Sequence, residues 1–179
     1  GLRKDAMLAA TRIMQDVVAA AHRHPPHGRG TVGMVQVFPN SRNVIPGRVK
    51  FSIDLRNATD ALVDQMADEV KAFAAKVGQE HGVDVKIEMV SSYNAIQFHE
   101  NCVDAVGRAA KKLGYSNMPA VSGAGHDAVY MAKLAPSGMI FIPCKDGISH
   151  NEIEDAKPEH ITAGCNVLLH AMLERAGVV

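Results

Sequence analysis

Val49-Lys50-Phe51-Ser52-Ile53-Asp54-Leu55 alternates apolar and polar residues at every step. Successive side chains of a strand leave opposite faces, so this segment reads as a strand with one face on a core and the other toward solvent or a ligand. Just upstream, Thr31 to Phe38 is rich in strand-forming residues. Further back, from Lys4 to about Ala21, the apolar residues Ala6, Ala10, Ile13, Met14, Val17 and Ala21 recur at helical spacing, and Arg23, Pro25, Pro26 and Gly28 stop the helix. Downstream, Thr59 is placed to N-cap a second helix carrying Leu62, Val63, Met66, Val70, Phe73 and Val77. Gly82 follows its end, and Val83 to Val90 reads as another strand. Helix, strand, strand, helix, strand is the β-α-β-β-α-β split arrangement without its first strand, with two helices on one face of an antiparallel sheet.

After about Tyr93 the texture changes. Cys102 to Leu113 reads as a helix closed by Gly114, and Ser122-Gly123-Ala124-Gly125 is a Gly-rich turn into a short helix near Ala128 to Ala132. Met139-Ile140-Phe141-Ile142 is apolar throughout, the pattern of a strand covered on both faces. A last helix has Pro158 in its first turn, the apolar residues Ile161, Cys165, Leu168, Leu169 and Met172, and Gly177 at its end. One buried strand with three helices is too little for an independent α/β layer, so this half is expected to need further strands or a partner. The fold class is therefore α/β with an α+β first part, divided into residues 1–93 and 94–179.

In 179 residues, nineteen basic and nineteen acidic side chains balance, which leaves no electrostatic footprint for nucleic acid or an anionic membrane. Aromatics are 4% and Trp is absent, which counts against base stacking. No apolar run approaches a membrane span. Cys102, Cys144 and Cys165 form no C-x-x-C pair and leave one over, so a reducing, cytoplasmic compartment is the simplest expectation.

Three segments can carry chemistry. Gly147-Ile148-Ser149-His150-Asn151-Glu152-Ile153-Glu154 follows the apolar strand, where α/β sheets collect their sites. His150 there is flanked as a loop metal ligand would be; the plainer reading is a polar loop before a helix. Ser122-Gly123-Ala124-Gly125-His126-Asp127 allows close backbone approach to a ligand and puts His126 near a helix N-terminus, which favours a neutral, hydrogen-bonding imidazole. Its plainer reading is a capped helix start. Asn43-Val44-Ile45-Pro46-Gly47 with Asp54-Leu55-Arg56 offers an Arg for bidentate capture of a carboxylate and an Asn to fix an adjacent group, or else a surface turn and a solvated strand end. His22, His24 and His27 straddle a helix end and two prolines, where His suits the helix dipole. His81, His99, His160 and His170 read as helix-end or helix-surface residues, and Cys144 as structural.

Taken in order, Asn43-x-x-Pro46-Gly47, Asp54-x-Arg56, Ser122-Gly-Ala-Gly-His126-Asp127 and Gly147-Ile-Ser149-His150-Asn151-x-x-Glu154 resemble the hydantoinase/carbamoylase branch of the M20 metal-dependent amidohydrolases. That branch includes N-carbamoyl-L-amino-acid hydrolase, β-ureidopropionase and allantoate amidohydrolase. The resemblance runs the length of the chain. It implies a split β-α-β-β-α-β lid and dimerisation domain, followed by the C-terminal part of a mixed-sheet α/β zinc-hydrolase catalytic domain. It also implies two divalent metal ions (Zn or Mn, with Co or Ni as alternatives), a small ureido or N-carbamoyl substrate and a homodimer through the lid. By the same resemblance His150 is a metal ligand, while Asn43, Arg56 and His126 bind substrate, Asn43 and Arg56 reaching it when the lid closes. The implied reaction is attack of a metal-activated water on the ureido or amide carbonyl.

The family's remaining metal ligands and its Glu base have no counterpart in these residues, so no catalytic residue is assigned here. One His cannot hold a catalytic metal, which takes about three protein ligands. The chain alone is expected to be inactive and to hold no catalytic metal. Two rival functions are another M20 activity, such as an aminoacylase or dipeptidase, and a non-catalytic dimerisation or ligand-binding module.

Overall fold

The computed structural model describes residues 2–178. It mixes helices with small antiparallel sheets: helix α1 (Ala6–Arg23), strands β1 (Arg29–Thr31), β2 (Val35–Phe38), β3 (Arg48–Phe51) and β4 (Asp54–Arg56), helices α2 (Asp60–His81), α3 (Glu100–Lys112) and α4 (Ala128–Ala132), a 3₁₀ turn at Lys145–Gly147, and helix α5 (Pro158–Arg175). The chain divides into two compact units, one of residues 1–95 with 121–123, the other of residues 96–120 with 124–179.

In the first unit the alternation from Val49 to Arg56 is realised residue by residue: Val49, Phe51, Ile53 and Leu55 are half-buried while Lys50, Ser52, Asp54 and Arg56 are exposed. β4 pairs with β1 and β3 with β2, both antiparallel. Between the aligned pairs Thr31↔Asp54 and Val35↔Phe51, three residues on the first strand face two on the second. The two ladders are thus one hairpin interrupted by a one-residue bulge. Ser52 seals it, its N–H donating to Met34 O at 3.0 Å and its Oγ accepting from the Met34 N–H at 3.1 Å.

The inner face of this hairpin meets both helices. Phe51, with Phe73 and Val83, packs on Ala9, Ile13, Ala74 and Val77, and Val32, Ile53 and Leu55 pack on Val17, Ala20 and Val70. Val17, Met66 and Val77 are fully buried, and each such side chain contributes about 1.5–3 kcal/mol by leaving water. Thr59 and Gly82 bound α2 as the sequence predicts. Asp5 caps α1 by accepting from the Met7 and Leu8 amides, Thr59 caps α2, and Gly82 closes α2 at φ 61°, a left-handed conformation that suits glycine. Val83 to Val90 departs from expectation: among the described residues it forms no ladder, and from Asp84 onward it is exposed. A strand requires a partner for its N–H and C=O groups, and β1 and β4 pair only with each other.

In the second unit α3 lies on α5 through Ala105, Ala109 and Ala110 against Val167 and Ala171, ringed by Val106, Leu113, Tyr115 and Ile140. His99 caps α3, its Nδ1 accepting from the Asn101 amide. Met139–Ile142 is not the doubly covered strand expected from its composition. It has no ladder among the described residues, Ile140 packs on the helix pair, and Phe141 is 52% exposed. The buried stripe of α5 also differs. Ile161, Leu168, Leu169 and Met172 are 47–61% exposed, and Cys165 is exposed. The small residues, not the large ones, face α3: Val167 and Ala171 meet Ala105, Ala109 and Ala110.

Candidate functional site

Asn43 and Arg56 both belong to the first unit, at different places on its hairpin. Asn43 sits in the connection between β2 and β3, where Ser41 Oγ donates to its Oδ1 at 3.2 Å. That loop borders an open cleft of about 450 Å³ whose lining includes Arg3, Asp5, Thr11, Arg42 and Asn43. The Pro46 carbonyl accepts from the Ala6 amide at 3.1 Å, which ties the loop to the start of α1. Arg56 ends β4, beyond the far end of β3 from that loop, so the hairpin itself does not set the two side chains side by side.

Arg56 is held at three points. Its Nε donates to Asp54 Oδ1 at 2.7 Å and its Nη2 to Asp54 Oδ2 at 3.1 Å, a two-bond fork. Its Nη1 donates to Gly123 O at 2.7 Å. Asp54 and Arg56 are two residues apart on one strand, so their side chains leave the same, exposed face. Their side chains are 52% and 50% exposed. Asp54 bonding raises the guanidinium pKa above its already high value, so Arg56 is a permanent cation. The structure thereby joins two segments that the sequence offered separately, Asp54-x-Arg56 and the start of the Gly-rich turn. That turn carries His126 three residues further on.

His126 lies in the second unit, edge-on to Phe141 with ring centroids 5.5 Å apart. α4 begins just after it, with Asp127 in the N-cap position but making no capping hydrogen bond through its side chain. Asp127 thus holds the N-cap position without a side-chain cap bond, and the imidazole has an aromatic neighbour that composition alone does not reveal.

His150 is exposed and left-handed, at φ 56°. Its backbone N–H donates to Glu154 Oε2 at 3.0 Å, and Asn151 Oδ1 accepts from the Ile153 amide at 3.1 Å. The Ser-His-Asn-x-x-Glu segment is thus a turn folded by its own side chains, with His150 at its apex in a conformation uncommon for a non-glycine residue. Among the described residues no three His, Cys, Asp or Glu side chains are grouped so as to hold a metal ion.

At the end of α1, His22 and Arg23 are the basic residues of the last turn, and His24 adds a side-chain pair. His24 Nε2 pairs with Glu69 Oε1 at 2.8 Å, and Arg23 bonds both Glu69 and Asp16 at 3.0 Å. Sequence reasoning missed Glu69 because it lies on another helix. Cys102, Cys144 and Cys165 are free thiols. Among the described residues no helix is long and apolar enough to cross a membrane.

Comparison with known proteins bears on all of these segments together. The model of Peptidase family M20/M25/M40 matches residues 5–174. An N-carbamoyl-L-amino-acid amidohydrolase of Rhizobium meliloti is 45% identical over 178 residues, which cover 99% of this chain and 43% of that protein. An allantoate amidohydrolase of Bacillus subtilis is 30% identical over 174 residues, covering 97% of this chain and 42% of that protein. Among solved structures, an amidase of the hydantoinase/carbamoylase family from Burkholderia multivorans superposes with a TM-score of 0.93 at 50% identity, over 97% of this chain and 42% of that one. The chain therefore spans less than half the length of the relatives it matches.

Proposed function

The chain belongs to peptidase family M20/M25/M40, and from that footing we propose that it is part of an amidohydrolase cleaving the C–N bond of N-carbamoyl-L-amino acids or related ureido compounds. The named activities of the Rhizobium meliloti and Bacillus subtilis relatives support this substrate class. The observation that carries the reading is the Arg56 guanidinium, anchored by Asp54 and Gly123 yet half-exposed. It is a fixed cation suited to the carboxylate that N-carbamoyl-amino-acid substrates present.

In this reading Arg56 takes the substrate carboxylate, Asn43 and His126 contribute further polar contacts, and His150 is the single metal ligand this chain supplies to a divalent centre. The other ligands belong to parts of the longer protein that the relatives' extra length represents, and the isolated chain is inactive. The same reading assigns a lid and dimerisation role to the first unit, a homodimer as the working form, and a cytoplasmic location consistent with three free thiols. The family's aminoacylase and dipeptidase activities are the nearest competitors.

Hydrolysis assays on the full-length protein decide between them. N-carbamoyl-L-amino acids should be cleaved with a higher kcat/KM than the matching N-acetyl amino acids and dipeptides. A preference for the N-acetyl compounds would make the protein an aminoacylase and overturn the proposal.

A further inference from the structure

A guanidinium carries five N–H donors in a rigid plane. In Arg56, Asp54 engages Nε and Nη2, and Gly123 O engages Nη1. These three bonds leave one N–H on each terminal nitrogen. Because Asp54 occupies the side of the fork that contains Nε, the remaining Nη2 hydrogen is directed toward Nη1, along the end of the guanidinium. The Nη2 hydrogen left there is a donor available to a second carboxylate.

The pair is not explained by folding. Both side chains are about half-exposed, and an exposed ion pair adds little to stability. What Asp54 and Gly123 do supply is order. An unpaired Arg on a strand surface samples many rotamers and would have to surrender that freedom on binding. A guanidinium clamped at three points has already surrendered it, which lowers the cost of capturing an anion.

We propose that Asp54 is a positioning residue for substrate binding, holding the Arg56 guanidinium so that its remaining N–H donors are presented to the substrate carboxylate. This rests on the carboxylate-binding role proposed for Arg56 and adds to it a specific dependence on a residue that need not touch substrate. The opposite arrangement is physically reasonable too: an acidic neighbour can compete for the cation and weaken anion binding. The two make opposite predictions for Asp54→Asn.

The test uses the full-length protein with Asp54→Asn, Asp54→Glu and Arg56→Ala, and with Asp54→Asn combined with Arg56→Ala. Steady-state kinetics are read on an N-carbamoyl-L-amino acid and on its α-carboxamide. Asp54→Asn should raise KM for the carboxylate substrate about tenfold with kcat changed less than about twofold, the pattern of lost substrate binding. Asp54→Glu should recover part of that loss, the carboxamide should be indifferent, and Asp54→Asn should add nothing in the Arg56→Ala background. An unchanged or lower KM in Asp54→Asn, or an equal loss on the carboxamide, overturns the proposal. A second readout requires no turnover: the Arg56 Nε–H proton, observed by NMR, should exchange slowly in the unsubstituted protein and rapidly in Asp54→Asn. Equal exchange in both overturns the positioning role. Absence of hydrolysis by the unsubstituted protein would strike the functional reading instead, and is seen separately.

Discussion

His24 and Glu69 meet across the packing of α1 on α2, the imidazole Nε2 lying 2.8 Å from the Glu69 Oε1. Arg23 reaches the other oxygen of the same carboxylate at 3.0 Å and bridges to Asp16 at 3.0 Å. The His24 side chain is only 9% exposed and that of Asp16 only 10%. The end of one helix is thus fastened to the middle of another by a charged cluster at the rim of an alanine- and valine-rich seam.

This cluster sets a pH dependence. The bond from His24, and then that from Arg23, hold the Glu69 carboxyl below the usual glutamate range. A carboxylate whose folded pKa is depressed contributes stability that is fully present above its unfolded pKa and is lost as pH falls through the folded value. Stability against urea should therefore fall as pH drops from about 5 toward about 3. Glu69→Gln should be less stable near neutrality and should show a shallower loss over the same interval. Parallel curves for the two proteins would remove Glu69 from the account.

Gly30 makes a sharper prediction, because its neighbour cannot yield. A Cβ built there would stand 2.2 Å from the backbone oxygen of Val17, in the turn of α1 against which β1 lies. Gly30→Ala must push the strand off the helix and should cost about 1–3 kcal/mol, as overpacking typically does. Gly47 has nothing within 4 Å of its own Cβ position. Gly47→Ala should be near neutral, and chemical denaturation of the pair measures the difference.

How far the sequence was readable depended on whether a feature was local. The alternation of Lys50, Ser52, Asp54 and Arg56 with their apolar neighbours, the Thr59 cap and the Gly82 closure are local, and each appears where the residues put it. The bulge opposite Ser52 was not legible, because it depends on the register between two strands. Val83 to Val90 and Met139 to Ile142 have the composition of strands, and among the described residues no strand pairs with them. At the candidate site, the motifs around Asn43, Arg56, His126 and His150 were recognisable as segments. The bond from Arg56 to Gly123 joins residues 67 positions apart, and no periodicity carries that information.

The large apolar residues of α5 give a contrast testable within one protein. Met66 is fully buried, whereas Leu169 is 54% exposed on α5. Met66→Ala should cost about 2–5 kcal/mol, the range for deleting a buried Met or Leu side chain. Leu169→Ala removes a side chain that still meets water in the folded state and should change the chain's unfolding free energy by less than about 0.5 kcal/mol, as surface substitutions usually do. A large loss from Leu169→Ala would mean that this face is covered in solution, and sizing chromatography at several concentrations would show whether a second copy covers it.

His150 supplies the last prediction. It is exposed at the apex of a self-folded turn, and no group of three His, Cys, Asp or Glu side chains suited to a metal ion occurs among the described residues. A single imidazole in water binds zinc weakly, and a tight site takes three or four protein ligands. Competitive zinc titration of this chain should therefore give the same weak affinity for the unsubstituted form and for His150→Ala. In the full-length protein the same substitution should cost metal affinity and hydrolysis together, with the loss partly reversed at high metal concentration because one ligand of several is gone. Tight zinc binding by this chain that disappears in His150→Ala would mean that its residues assemble a metal centre by themselves. The inactive-fragment reading would then be wrong at its root.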